Sequence, residues 1–247
     1  MKCVILAAGV GKRLRPLTSV TPKCLLNIGG VPLLSLTIKN LLSNGITDIA
    51  IVTGFMSQKV RRFVKKNFPK APFTFIDNKR YASTNNAFSL SLARQFVQSR
   101  PMLLLDGDIL FSKQLLTAFI NASRKPNRVA VRVQGPHDKE EIGVRINRWD
   151  HILEIGKHIP LDSTYGESIG IEVFSAAAVD QLFGILEQRM KTARGRSEFY
   201  EASFQQFIDR GNRLWAVDIG NEPATEIDTA EDLSHAQRVI LPLLRHA

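Results

Sequence analysis

The sequence predicts an α/β protein: a mostly parallel sheet with helices on both faces, plus a small antiparallel lobe. Three observations lead there. Strand and helix signals take turns from the amino terminus. The segments Lys2 to Leu6 and Pro101 to Leu105 are almost continuously apolar, as strands are when both faces of their sheet are covered. Beyond about residue 125 the strands become short and closely spaced. Alternation of strand and helix calls for right-handed crossovers, hence parallel pairing.

Taken in order, Lys2 to Leu6 is the first strand, and a glycine-bearing basic loop follows it from Ala7 to Pro22. Leu33 to Leu42 carries apolar residues at helical spacing and stops at Asn44-Gly45, Ile49 to Thr53 is a β-branched strand, and Val60 to Phe68 is helical again. Phe73 to Ile76 is the third strand, Ala87 to Val97 a helix, and Pro101 to Leu105 the fourth strand. In the second half, Val129 to Val133, Ile142 to Ile146 and Ile152 to Ile155 are strands separated by turn-rich Gly135 to Asp138 and Asn147 to His151, a pattern that predicts hairpins at a sheet edge. Ser168 to Phe174 follows as a strand, then helices near Ala176 to Met190 and Phe199 to Asp209, strand Leu214 to Val217 and a closing helix from Thr229.

A chain of 247 residues with 44% apolar content buries a large core without staples, so one domain over 1–247 is expected. Cys3 and Cys24 form no disulfide framework and no spaced zinc ligands, which fits a reducing cytoplasm. The apolar start Cys3 to Ala8 is too short for a secretion signal and runs straight into basic residues. No stretch approaches the roughly 18 apolar residues of a membrane span, so a soluble protein without membrane insertion is expected. The net charge of +10 speaks to partners and not to fold; its lysines and arginines are scattered, without a run of five or six.

In open parallel sheets ligands gather outside the carboxyl ends of the strands, which directs attention to Ala7 to Lys23, Asp77 to Asn86 and Asp106 to Asp108. The first of these is Leu6-Ala7-Ala8-Gly9-Val10-Gly11-Lys12-Arg13-Leu14-Arg15-Pro16-Leu17-Thr18. A dinucleotide fingerprint needs a third glycine where Leu14 stands, and a Walker A loop needs Ser or Thr where Arg13 stands. Both fail. What remains is a strand ending in small residues whose backbone N–H groups can approach a polyphosphate, with cations close behind.

These residues resemble the nucleotidyltransferase family that activates sugar phosphates and related alcohols, whose signature L-A-A-G-x-G-x-R-L-x-P-L-T is matched at every fixed position, with Pro22-Lys23 where a proline and lysine follow. The likeness continues through Val31-Pro32-Leu33, Gly45-Ile46, Asp106-Gly107-Asp108 and Glu226-Ile227-Asp228-Thr229, covering essentially the whole chain. It implies a Rossmann-like sheet of the nucleotide-diphospho-sugar transferase type, an NTP-binding half to about residue 125 and an acceptor-binding, closing half from about 126. Tyr81, Asn85-Asn86 and Phe88-Ser89-Leu90 resemble the cytidylyltransferase branch acting on phosphocholine, inositol phosphate or phosphonates. The implied reaction joins an NTP, CTP in this branch, to a small phosphorylated acceptor and releases pyrophosphate.

A phosphate monoester has a second pKa near ~6, so the attacking oxygen is already anionic and no general base is needed; the task is positioning and charge stabilisation. The resemblance implies Mg²⁺ as cofactor with Asp108 and Asp228 as its ligands, hard oxygen donors for a hard cation. Each has a bland alternative, Asp108 capping a turn and Asp228 capping a helix. Asp106 is read as supporting the ligands through a hydrogen bond, with direct ligation or a sugar contact as alternatives.

Arg13 offers the β and γ phosphates a planar fork of donors, and Lys23 resembles the lysine bridging the α-phosphate and the incoming oxygen. Lys157 resembles a lysine that reaches the acceptor's phosphate, against the alternative of a solvated hairpin end. Leu6, Ala7, Ala8, Gly9 and Gly11 are the expected nucleotide-binding backbone; Asn85, Asn86 and Ser89 are candidates for reading the base or acceptor, Asn85 also being a natural helix N-cap. Glu167 is either an acceptor contact or a turn residue. Tyr81, Phe88, Phe111, Trp149, Tyr165 and Trp215 would form a quaternary-ammonium cage only if they converged.

Three other readings compete. A hexose-1-phosphate nucleotidylyltransferase would use GTP, UTP or dTTP. A nucleic-acid binder would need a recognisable recognition element, which the chain lacks. A nucleotide sensor without catalysis would not need the full set of phosphate and metal residues that is present. No nucleic-acid partner is expected, and assembly into a homo-oligomer stays open.

Overall fold

A computed structural model describes residues 1–122, 124–133 and 141–246 of the chain. β1 (Lys2–Ala7) is flanked in the sheet by β4 (Ile49–Thr53) and later by β6. Between β1 and β4 lie a two-stranded ribbon, β2 (Asn27–Ile28) and β3 (Val31–Pro32), and helix α1 (Leu33–Ser43). Helix α2 (Ser57–Asn67) leads to edge strand β5 (Phe73–Asp77). The short helices α3 (Asn86–Ser91) and α4 (Arg94–Val97) lead back to β6 (Met102–Asp106). The strands β6, β1, β4 and β5 are neighbours in that order and all parallel. Leu6 pairs with both Val52 and Asp106, and Thr53 with Asp77, so the carboxyl ends of all four strands finish level. The loops that follow them open on one edge, where the candidate residues gather.

The first strand reads as uniformly apolar because both of its faces are covered. Val4 and Leu6 point into one core with residues of α3, while Cys3, Ile5 and Ala7 point into another with Leu34, Ile38 and Leu41 of α1. Each pleat alternates, but neither side meets water.

Beyond β6 come β7 (Ile109–Phe111), α5 (Lys113–Asn121), β8 (Arg128–Arg132), the hairpin of β9 (Gly143–Ile146) and β10 (Ile152–Gly156), and the long β11 (Gly166–Phe174). Then follow α6 (Ala176–Met190), α7 (Ala193–Ser197), α8 (Glu201–Asp209), β12 (Trp215–Asp218), β13 (Ala224–Glu226), α9 (Ala230–His235) and α10 (Leu241–His246). β11 joins the parallel half by pairing antiparallel with β6, and it also pairs with β8 and β9. The predicted class holds: a mixed sheet whose parallel half carries helices on both faces, with an antiparallel portion attached through β11. Among the described residues, no helix is long and apolar enough to cross a membrane.

Three expectations need correction. The strand over Val129 to Val133 is not part of an edge hairpin: β8 lies between β11 and β12 and runs parallel to β12, because Val129, Ala130 and Val131 are apolar and fully buried on both faces. The adjoining turn expected at Gly135 to Asp138 lies outside the described residues. The single helix over Ala87 to Val97 is two, since the Ala93 N–H donates to the Leu90 carbonyl, a tighter bond that brings Leu90, Ala93 and Val97 together into the core. The unpredicted α5 starts at an N-cap, Ser112, whose hydroxyl accepts from the Leu115 N–H.

A third, smaller core matters most for the site. Leu14 of the basic loop packs there with Leu110 of β7 and Ile227, which follows β13, and β13 itself pairs antiparallel with β7. At the neighbouring strand end Gly107 donates its N–H to the Leu6 carbonyl at 2.8 Å, and a Cβ there would lie 2.5 Å from that same oxygen. Gly107→Ala is therefore expected to push the ends of β1 and β6 apart and lower the unfolding free energy by about 1–3 kcal/mol in urea titrations. A loss under about 0.5 kcal/mol, the range of an inconsequential substitution, would show that the two strand ends have room to spare.

Candidate active site

The level strand ends open into a cleft of about 240 Å³ whose walls include Leu6, Ala8, Gly9, Arg13, Asp108 and Asp228. Gly11 adopts a left-handed conformation, φ 63°, and its carbonyl accepts a bond from Thr18 Oγ1 at 2.7 Å, which folds the basic loop back on itself. A Cβ on Gly9 would project into open space, so packing does not require glycine there, whereas close approach of a ligand to the backbone would. Ala7 is turned into the core, and Gly11 is packed against Thr18 and Lys23; neither lines the cleft.

Asp108 and Asp228 are 120 positions apart in the chain, yet backbone pairing brings them together. Glu226 lies opposite Ile109 in the β13–β7 ladder, and the Ile227 N–H donates to the Asp108 carbonyl at 3.0 Å. As a result Asp108, Glu226 and Asp228 each offer a carboxylate oxygen within 4.8 Å of the others. Two cations hold this concentration of negative charge. Lys23 Nζ donates to Asp108 Oδ2 at 2.5 Å and also to Asp228 Oδ1, while Arg13 Nη2 donates to Asp228 Oδ2 at 2.5 Å.

The titration of these groups follows from that arrangement. Burial pulls Lys23 down, but the carboxylates of Asp108 and Asp228 together outweigh it, and its ammonium stays protonated above the ordinary lysine range. Desolvation opposes ionisation of Asp228, yet Lys23 and Arg13 win and hold its carboxyl below the usual range. Desolvation and the like charges of Asp108 and Asp228 push Glu226 up to about 8; since the residue as a whole is exposed, the like-charge crowding is the part a bound cation would reverse.

The capping alternative for Asp228 is taken by its neighbour. Thr229 is the N-cap of α9, its Oγ1 accepting from the Asp232 N–H and Asp232 Oδ2 accepting from the N–H groups of Thr229 and Asp228. The Asp228 side chain is thereby left to Lys23 and Arg13. Asp108 keeps one oxygen, Oδ1, buried and without a partner among the described residues. That orphan atom, together with three clustered carboxylates, fits a hard divalent cation, which Asp108, Glu226 and Asp228 would hold. Asp106 stands outside this group; its Oδ2 accepts from the Tyr200 hydroxyl at 2.8 Å, and burial followed by the charge of Asp108 raises its pKa well above the usual range.

Asn85, Asn86 and Ser89 line the same cleft but are also tied into the fold. Asn85 Oδ1 caps α3 through the Asn86 N–H, Asn86 Oδ1 accepts from the Tyr200 N–H, and Ser89 Oγ accepts from Asn78 Nδ2. A second compartment of about 110 Å³ adjoins the cleft, sharing Arg13, Asn86 and Asp228 with it and adding Lys157 and Glu167. Lys157 Nζ sits 5.1 Å from the centre of the Phe199 ring. The six aromatic candidates do not converge: Phe111 is core, Tyr165 packs against the other large core, Trp149 and Trp215 flank His151, Tyr81 packs on Phe55 and Phe88 on Arg80. Glu226 was not singled out from the sequence, although its spacing of two from Asp228 across a strand end places both side chains on one face.

Residues 2–150 match the family described as nucleotidyl transferase. The chain belongs to this family. Among similar proteins, the CTP:phosphoglutamine cytidylyltransferase of Campylobacter jejuni is 26% identical, covering 94% of this chain and 98% of the relative. The choline-phosphate cytidylyltransferase of Haemophilus influenzae is also 26% identical and covers 98% of each. The fold of this nucleotidyl transferase is shared with the inositol-1-phosphate CTP transferase from T. maritima, at a TM-score of 0.80 and 23% identity over 97% of both chains.

The electrostatic account of this nucleotidyl transferase sets a pH-dependent expectation. Lys23→Met, studied in chelator, should destabilise the fold by about 1–3 kcal/mol at pH 7. Because Lys23 depresses Asp228 in the folded state, the stability it confers exists above the usual aspartate range and is lost as pH falls through the folded value. The gap between wild type and variant in denaturant melts should accordingly narrow below about pH 4; a gap that widens in acid would contradict the account.

Proposed function

We propose that the protein transfers CMP from CTP to a small phosphorylated alcohol, polyol or phosphonate, with Mg²⁺ as cofactor and pyrophosphate as the other product. The observation that carries this reading is the three-carboxylate group, two of whose members, Asp108 and Asp228, are paired with Lys23 and Arg13, at the boundary between a cleft lined by Gly9 and a compartment containing Lys157. The full-length likeness to cytidylyltransferases supports the choice of CTP. On this reading residues 1–247 act as one domain, with the nucleotide in the half to about 125 and the acceptor against the half beyond it.

In the proposed step an anionic oxygen of the acceptor's phosphate forms a bond to the α-phosphorus, and the bond from that phosphorus to the bridging oxygen of the β-phosphate breaks. Pyrophosphate departs with the electron pair. No proton has to move, since the attacking oxygen is already ionised at neutral pH. The backbone from Leu6 to Gly9 admits the triphosphate, Arg13 holds the β and γ phosphates, and Lys157 holds the acceptor's phosphate. Lys23 exchanges its carboxylate partners for the α-phosphate and the incoming oxygen. When bound at Asp108, Glu226 and Asp228, Mg²⁺ supplies charge neutralisation at the transferring and leaving phosphates. Asn85, Asn86 and Ser89 border the base, and Glu167 the acceptor.

A panel of the four NTPs crossed with phosphorylated acceptors, read by pyrophosphate release, tests the assignment. Turnover is expected with CTP, and EDTA should abolish it. Asp108→Ala should cost at least about 10²-fold in kcat while the fold stays intact by circular dichroism. Turnover confined to GTP, UTP or dTTP with a hexose 1-phosphate, or an undiminished Asp108→Ala enzyme, would overturn the reading.

A further inference from the structure

The cations of this chain are scattered, but its acids are not. Between residues 54 and 105 stand ten lysines and arginines and a single acid, Asp77, a net charge of +9 against +10 for all 247 residues. The rest of the chain is almost neutral, and the excess sits on α2, α4 and the turns around β5.

Helix α2 shows how the excess is arranged. Val60 and Val64 are fully buried, and at about 100° per residue the direction opposite them is that of Arg62, with Lys65 on one side of it and Lys66 and Lys59 on the other. All four cations are exposed. A solvated helix face ordinarily sets acids three or four positions from its bases, because like charges at that spacing repel. α2 contains no acid, and among the described residues none of the four cations pairs with a carboxylate. Asp77 is engaged elsewhere: its Oδ2 meets Arg61 Nη2 at 2.7 Å, and its Oδ1 accepts from Thr53 and Ser57. At its amino-terminal end the basic face meets apolar side chains. Lys59 Nζ donates to the Val20 carbonyl at 2.5 Å, and Val20 is 65% exposed and Leu17 45% exposed on the loop that also carries Arg13 and Arg15.

Charge and shape together select the partner. A second copy of the chain would bring the same charge, and one small phosphate would leave most of the face unanswered. Nucleic acid is held in grooves or on exposed rings, whereas this face is the outer side of a helix, and Phe63, Phe68 and Phe73 beside it pack against the core. Long cationic side chains next to exposed aliphatic ones match lipid phosphates lying over hydrocarbon. We propose that α2 and the turn over residues 17–20 dock the protein on an anionic membrane surface. The association is peripheral: the apolar side of α2 is already taken by the core, so the helix rests on the headgroups and does not enter the bilayer. The inference does not depend on the transfer reaction.

The test is co-sedimentation of the whole protein with vesicles of phosphatidylcholine alone or with about 30 mol% phosphatidylglycerol added. Wild type should partition onto the anionic vesicles at least about 10-fold more strongly, and should be released as salt rises from about 0.05 to 0.5 M. The triple variant Arg62→Gln, Lys65→Gln, Lys66→Gln should lose at least about 10-fold in partition coefficient. A control with Lys191→Gln, Arg210→Gln and Arg213→Gln removes the same charge from exposed positions elsewhere and should lose less than about 3-fold. Val20→Ser should weaken vesicle binding by about 3-fold or more through lost apolar contact. Circular dichroism should show all these variants folded. No preference for anionic vesicles, equal loss in the two triple variants, or undiminished binding by Val20→Ser would overturn the proposal. So would displacement from the vesicles by duplex DNA or transfer RNA at matched phosphate concentration, which would assign the face to nucleic acid.

Discussion

The structure depends on neutralising like charges that the fold forces together. A three-residue ladder between β7 and β13 sets Asp108 beside Glu226 and Asp228, and three carboxylates within 4.8 Å repel one another strongly at the partly dry base of a cleft. Lys23 and Arg13 resolve this from the opposite end of the sequence. The basic loop stays in reach because Leu14 is buried in the same small core as Leu110 and Ile227. One apolar residue in the loop thus places two cations, and its two partners in that core flank the acids they neutralise.

That arrangement explains how the cleft can serve charge-transfer chemistry without a strong base. A lysine held between two aspartates stays protonated and is kept in place by both of them. Asp108 and Asp228 are already held in place by Lys23, and one Asp108 oxygen is unpaired among the described residues, so a cation finds two of its ligands prepositioned. The adjoining compartment differs in composition: Glu167 of β11 and Glu201 at the start of α8 line it together with Lys157 and Arg13, so both signs of charge meet there.

Much of the parallel half was legible in the sequence, because β1, β4 and β6 are apolar on both faces and the helices between them have clear spacing. The first loop was legible residue by residue, since glycine and arginine act there through local chemistry. Legibility failed where packing decides. β7 and β13 have three residues each, too few for a period to show, yet they assemble the acids. The periodicity of Ala87 to Val97 concealed a tightened turn, and the placement of β8 beside β12 is a long-range pairing with no local signal. Glu226 was visible within Glu226-Ile227-Asp228 but shared its segment with a more obvious aspartate.

The central claim is that the acids, and not the lysine alone, form the cation site once nucleotide is present. Anomalous scattering from crystals grown with Mn²⁺ and CTP addresses it directly. The account predicts an anomalous peak bounded by oxygens of Asp108, Glu226 and Asp228, with Lys23 Nζ moved onto the α-phosphate. A manganese ion bound elsewhere, with Lys23 still bridging Asp108 and Asp228 beneath an ordered CTP, would contradict it.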